Sequence, residues 1–91
     1  MNRQELEKIV KPLSWTECEG GRVVRADTLL HYNLRLEKKG EQYMVYREES
    51  PHHIYTEYNK PVSLEAAKEI AWAKYLDTVA SILKNQPKEE E

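Results

Sequence analysis

Three histidines and one cysteine are the side chains of this chain that could bind a metal or serve a nucleophile. A metal site needs several ligands converging at fixed spacing. Here His52 and His53 are adjacent, His31 stands alone in an alternating segment, and Cys18 has no second cysteine. Cys18 and His31 could pair as nucleophile and base, but nothing marks an activating third group or an oxyanion-binding turn. Gly20-Gly21 precedes no helix and so resembles no phosphate-binding loop. Glu48-Glu49 and Glu89-Glu90-Glu91 fall in solvated segments with no neighbour that would split their pKa values. We therefore expect no catalytic residue, no metal and no cofactor.

What remains is the chemistry of contact. In the run Leu29 to Glu37, Leu30, Tyr32, Leu34 and Leu36 alternate with His31, Asn33, Arg35 and Glu37. A pleated strand sends these two sets to opposite faces, so one set is apolar and the other is free to meet water or a partner. His31, Asn33 and Arg35, with Arg25 and whichever of Tyr43 and Tyr46 points outward, make a candidate partner-binding surface; we take Tyr46 for it, and Tyr55 and Tyr58 extend it at a last, edge strand. Six tyrosines and no phenylalanine mean that most rings here carry a hydroxyl able to reach a partner or water. The same residue types suit any exposed sheet surface.

The elements that must position these residues are legible in order. Gln4 to Lys11 is a short helical pattern carrying Leu6, Ile9 and Val10, and Pro12 stops it. Leu13 to Cys18 is a first strand, Gly20-Gly21 a tight hairpin turn and Arg22 to Ala26 a second strand. Leu29 to Glu37 is the clearest strand, followed by a turn at Lys38-Lys39-Gly40 and a strand Gln42 to Arg47 that is apolar on both sides. Glu48 to His53 reads as a polar loop and Ile54 to Tyr58 as the last strand. Ser63 then caps a long helix, with Glu65 and Glu69 near its positive end and Lys84 near its negative end, closed by Asn85-Gln86-Pro87. Its apolar stripe runs through Leu64, Ala71, Trp72, Tyr75, Val79, Ile82 and Leu83, with Ala67 and Leu76 on the margins and Ile70 on the far side.

Strands first and one good helix last predict an α+β fold: an antiparallel β-meander of three to five strands, a short N-terminal helix, and the long C-terminal helix packed on one sheet face. The 91 residues give room for a single domain, residues 1–86, with 87–91 a disordered acidic tail. Fourteen basic against 16 acidic residues leave a formal net charge of −2, which is no nucleic-acid footprint. No apolar run approaches the roughly 20 residues that span a bilayer. The charged start, Met1-Asn2-Arg3-Gln4-Glu5, and the lone cysteine predict a cytoplasmic protein.

Two resemblances bear on function. A short helix, a strand meander and a final helix containing Ala66-Ala67-Lys68 and Ala71 resembles in outline the double-stranded-RNA-binding domain. In that family a lysine cluster opens the last helix, whereas Ser63-Leu64-Glu65-Ala66-Ala67-Lys68-Glu69 places two carboxylates there. Over about Leu13 to Leu83, the segments Leu13-Ser14-Trp15, Tyr32-Asn33-Leu34 and Ser63 to Lys68 look like small uncharacterised accessory proteins of phages and prophages. That resemblance implies a protein that binds host proteins, in some cases defence complexes such as CRISPR effectors, and it carries over no functional residue. We expect a non-enzymatic, protein-binding accessory protein that acts through a sheet face or edge strand. The rival is a nucleic-acid-binding module using Arg22, Arg25, Arg35 and Arg47 with tyrosine stacking. Homodimerisation through the last strand or Ile70 is compatible with either.

Overall fold

A computed structural model describes residues 3–84; the expected end of the long helix at Asn85-Gln86-Pro87 and the tail beyond it lie outside them. The fold is the expected α+β arrangement. Helix α1 (Arg3–Ile9) is followed by strands β1 (Trp15–Cys18), β2 (Val23–Asp27), β3 (Asn33–Lys39), β4 (Gln42–Ser50) and β5 (His53–Val62), and helix α2 (Leu64–Lys84) is the last element of the described residues. The five strands form one sheet in the order β1-β2-β3-β4-β5, each antiparallel to the next. None of the described helices is long and apolar enough to cross a membrane.

Both helices lie on one side of the sheet. Leu6 on α1 and Val10 just after it, whose N–H donates to the Leu6 carbonyl, join Tyr32 ahead of β3, Val24, Leu34, Leu36 and Val45 from the sheet and Ala67, Ala71, Tyr75 and Leu76 from α2 in a single core. Ala67 and Ala71 are completely buried. Having only a methyl group, they let the helix backbone approach the sheet, while Tyr75 and Leu76 fill the space beside them. The stripe is thus centred differently from the sequence expectation. Ala67 and Leu76 lie in its middle, Leu64 and Trp72 flank it, and Ile70 is partly buried against the core rather than on a bare far side.

Val79 and Ala80 are the last residues of α2 packed against the core. Beyond them Ile82 and Leu83 remain 44% and 39% exposed, although their spacing fits the apolar stripe. At its start α2 is capped as expected: the Ala66 N–H donates to Ser63 Oγ at 3.2 Å. Such caps contribute about 1 kcal/mol.

Three connections differ from the sequence reading. Gly20-Gly21 forms a short 3₁₀ turn with Glu19 rather than a two-residue hairpin, and Glu19, Gly20 and Gly21 all have positive φ. Leu29 to Tyr32 precedes β3 as a loop. Thr28 Oγ1 holds it by accepting from the Leu30 N–H at 3.1 Å and donating to the Tyr32 carbonyl at 2.6 Å, and the Leu29 N–H donates to the Tyr75 hydroxyl at 3.0 Å. Finally, Glu48 and Glu49 belong to β4, and Asn59, Lys60 and Pro61 belong to β5, so the turn between these strands shrinks to Pro51-His52. Pro61 is tolerated because β5 is an edge strand and its register on β4 is interrupted there.

Candidate partner-binding face

The side of the sheet opposite the helices is set by alternation and register. Thr16 faces Arg25, Arg25 faces Arg35, Arg35 faces Tyr46 and Tyr46 faces Thr56, one row across all five strands. The next row brings Asp27, Asn33, Glu48 and Ile54 together, and a third runs through Cys18, Val23, Glu37 and Met44. Two arginines directly opposite each other repel. The compensation comes from the neighbouring row, where Glu48 accepts from Arg25 Nη2 at 2.5 Å and lies 3.7 Å from Arg35 Nη1.

Glu48 is the residue that sequence reasoning missed. Read as part of a solvated loop, it is instead a strand residue whose side chain is only 10% exposed. A carboxylate so placed without partners would cost several kcal/mol, and the two guanidinium groups remove most of that cost. Extending the alternation Met44, Tyr46 by one more step would have found it. The network continues through Arg35 Nε, 3.4 Å from Glu37 Oε2, and Lys39 Nζ, 3.3 Å from Glu37 Oε1. Burial pushes the Glu37 carboxyl up, but Lys39 and Arg35 outweigh it and hold the group below its ordinary value.

Of the expected site residues, Arg25, Asn33, Arg35 and Tyr46 come together on this outer face. His31 borders it from the loop before β3, where it lines an open cleft of about 290 Å³ with Arg25, Asn33, Glu48 and Ser50. A second cleft of about 240 Å³, walled by Ser14, Thr16, Cys18 and Asp27, shares Arg25 and Asn33 with the first. Arg25 keeps 40% of its side chain exposed between them, with its Nε buried and without a hydrogen bond.

Tyr55 and Tyr58 do not join this face. Tyr55 faces Arg47 and Tyr58 faces Val45, both on the helix side, because Glu57 is an extra residue in β5 that breaks the period of two. Tyr58 packs against the core. Tyr55 is exposed beneath Arg47, whose guanidinium carbon is 5.1 Å from the Tyr55 ring centre and 5.5 Å from that of Tyr32. Arg47 Nε also lies 3.2 Å from Glu49 and 3.6 Å from Glu57, charge contacts without an aligned hydrogen bond. Burial raises the Tyr32 hydroxyl above its ordinary pKa, with the Thr78 hydroxyl beside it opposing the shift.

The candidate chemistries can now be placed. Cys18 is level with Val23 and Glu37, whereas His31 precedes Asn33, which pairs with Asp27 at the other end of β2. Four strand residues, about 13 Å, separate those levels, too far for proton transfer. The Cys18 thiol instead points at the Thr16 carbonyl, 3.8 Å away. Among the described residues no group of three or more His, Cys, Asp or Glu side chains converges as metal ligands. Ser50 Oγ and His53 Nδ1 are 2.8 Å apart, but Ser50 also accepts from the His52 N–H at 3.3 Å, so the contact closes the β4–β5 turn. No protein-family model matches the chain, and no similarity is found to curated proteins or to solved structures.

Proposed function

We propose that this is a non-enzymatic binding protein that docks the outer face of its sheet onto another protein. One observation carries the reading. A face left bare by both helices holds arginines fixed by a nearly buried carboxylate, with Tyr46 beside them. Such groups enter a contact with little further loss of side-chain freedom, which is the main cost of using long polar side chains at an interface. The likeness to phage and prophage accessory proteins makes a host protein complex, including a defence complex, the first partner to seek, and the cytoplasm the place to seek it.

Charge separates this reading from nucleic-acid binding. On the outer face Arg25, Arg35 and Lys39 are balanced by Asp27, Glu37 and Glu48. The four arginines of the rival reading do not share a surface: Arg47 is on the helix side with Glu49 and Glu57, and Arg22 leads into β2 away from Arg25. A phosphate backbone requires uncompensated positive charge along one surface.

Tyr46 is the clean probe of the proposal, because Arg35 also holds Glu48 and Glu37 in place. The immobilised chain is used to capture host proteins, and each captured species is retested with Tyr46→Ala and Thr16→Arg. The partner is lost from both variants while their thermal midpoints stay near that of the parent. Equal capture by parent and both variants would remove the outer face from the function.

A further inference from the structure

The two halves of the edge strand β5 are built differently. From Glu57 onward it carries an extra residue, broken register on β4, the charge of Lys60 and the missing N–H of Pro61, all of which keep another strand from adding to it. Ile54 to Thr56 has none of these, and His53 beside them lies at a smaller irregularity of register, between Glu48 and Ser50. His53 to Thr56 form the open half. All four residues are exposed, Ile54, Tyr55 and Thr56 are in regular register with Glu48, Arg47 and Tyr46, and two of them are large and apolar. We propose that Ile54, Tyr55 and Thr56 pair antiparallel with the same residues of a second copy of the chain, about a two-fold axis at Tyr55, with His53 and Glu57 meeting by their side chains at the two ends of the pairing.

Self-complementarity selects that occupant and that register. About an axis normal to the sheet, a strand pairing with itself joins residues of the same face. An axis at Glu57 sets two carboxylates opposite each other and Ile54 against Lys60. An axis at Thr56 sets Ile54, on the outer face, against Tyr58, on the helix side. An axis at Ile54 runs off the strand into Pro51-His52. The axis at Tyr55 alone avoids these conflicts. It places His53 opposite Glu57 of the second copy twice, Ile54 opposite Thr56 twice, and Tyr55 opposite itself, all favourable cross-strand pairs. Glu57 keeps Arg47 through Oε1 and has its other oxygen for the imidazole. The pairing leaves both outer faces uncovered, so it stands independently of the proposed docking there.

The test is sedimentation equilibrium of the full chain. An interface of this size is small, so a monomer–dimer equilibrium with a dissociation constant of about 10–500 μM is expected. Tyr55→Lys and Tyr55→Glu each abolish the dimer, because the substituted residue meets its own copy, and an equimolar mixture of the two restores it. A parent chain that stays monomeric throughout that range overturns the proposal, as does a mixture of folded variants that fails to associate. The exposed His53 gives an arm that does not touch Tyr55: His53→Lys tightens and His53→Glu loosens association, each by about tenfold. Equal constants, or the reverse order, overturn the register.

Discussion

At the scale of single residues, Glu48 decides whether the outer face exists as described. It reconciles Arg25 with Arg35, which the register forces into opposition. Glu48→Ala leaves the two guanidinium groups facing each other, and because both reach water the expected loss is about 1–3 kcal/mol rather than the full cost of a buried charge. Urea denaturation measures it. Glu37 gives the face a pH signature. Its carboxyl is held below the ordinary value of 4.5, so its contribution is complete above that pH and is lost as pH falls through the lower folded value. The urea midpoint of Glu37→Gln accordingly falls less steeply than that of the parent below about pH 4.5. Asn33 and Arg35 were legible as one surface because alternation along β3 is local, whereas register decided that Arg25 and Tyr46, rather than Tyr43, join them. The role of Glu48 was not legible, since its partner Arg25 is 23 residues away and only the strand register brings them together.

At the scale of elements, α2 closes one side of the sheet through its smallest residues. Ala67 and Ala71 permit the close approach, so a larger side chain at either position must push the helix off the core it shares with the sheet. Ala71→Leu is expected to cost about 1–3 kcal/mol by overpacking, although it raises mean hydropathy and conserves helix propensity. A thermal melt followed by circular dichroism checks it. A sequence wheel favours large apolar residues and so misplaced the centre of the stripe towards Ile82 and Leu83. Those two residues have the right angle but lie beyond Val79 and Ala80, the last residues of α2 packed against the core. Strand β5 was misread for a related reason, since a single extra residue at Glu57 turned Tyr58 from an expected contact residue into one that lines the core.

At the scale of the whole molecule, the asymmetry of the sheet is the property with functional reach. One side is sealed by both helices, the other carries three cations and three carboxylates in mutual contact or close by, and β5 leaves an unprotected edge at one end. A balanced face predicts that partner capture changes little with ionic strength, since few counterions are released on contact. Capture assays repeated between low and high salt check this. A steep fall in binding with salt, accompanied by retention of RNA or DNA, would transfer the function to the nucleic-acid reading.

The amino-acid sequence by itself determined the order of the elements, the α+β class, the capped C-terminal helix and the division of β3 into an apolar and a polar face. Each of these follows from the period of side chains along a few consecutive residues, which the backbone geometry of a strand or helix imposes without reference to the rest of the chain. Only the tertiary structure decided that Arg25, Arg35 and Glu48 form one charge network, that Tyr55 and Tyr58 lie on the helix side, and that Ala67 and Leu76 are central to the buried stripe while Ile82 and Leu83 stay exposed. Those outcomes depend on strand register, on one inserted residue and on where along the helix the packed core ends, which are relations between distant segments.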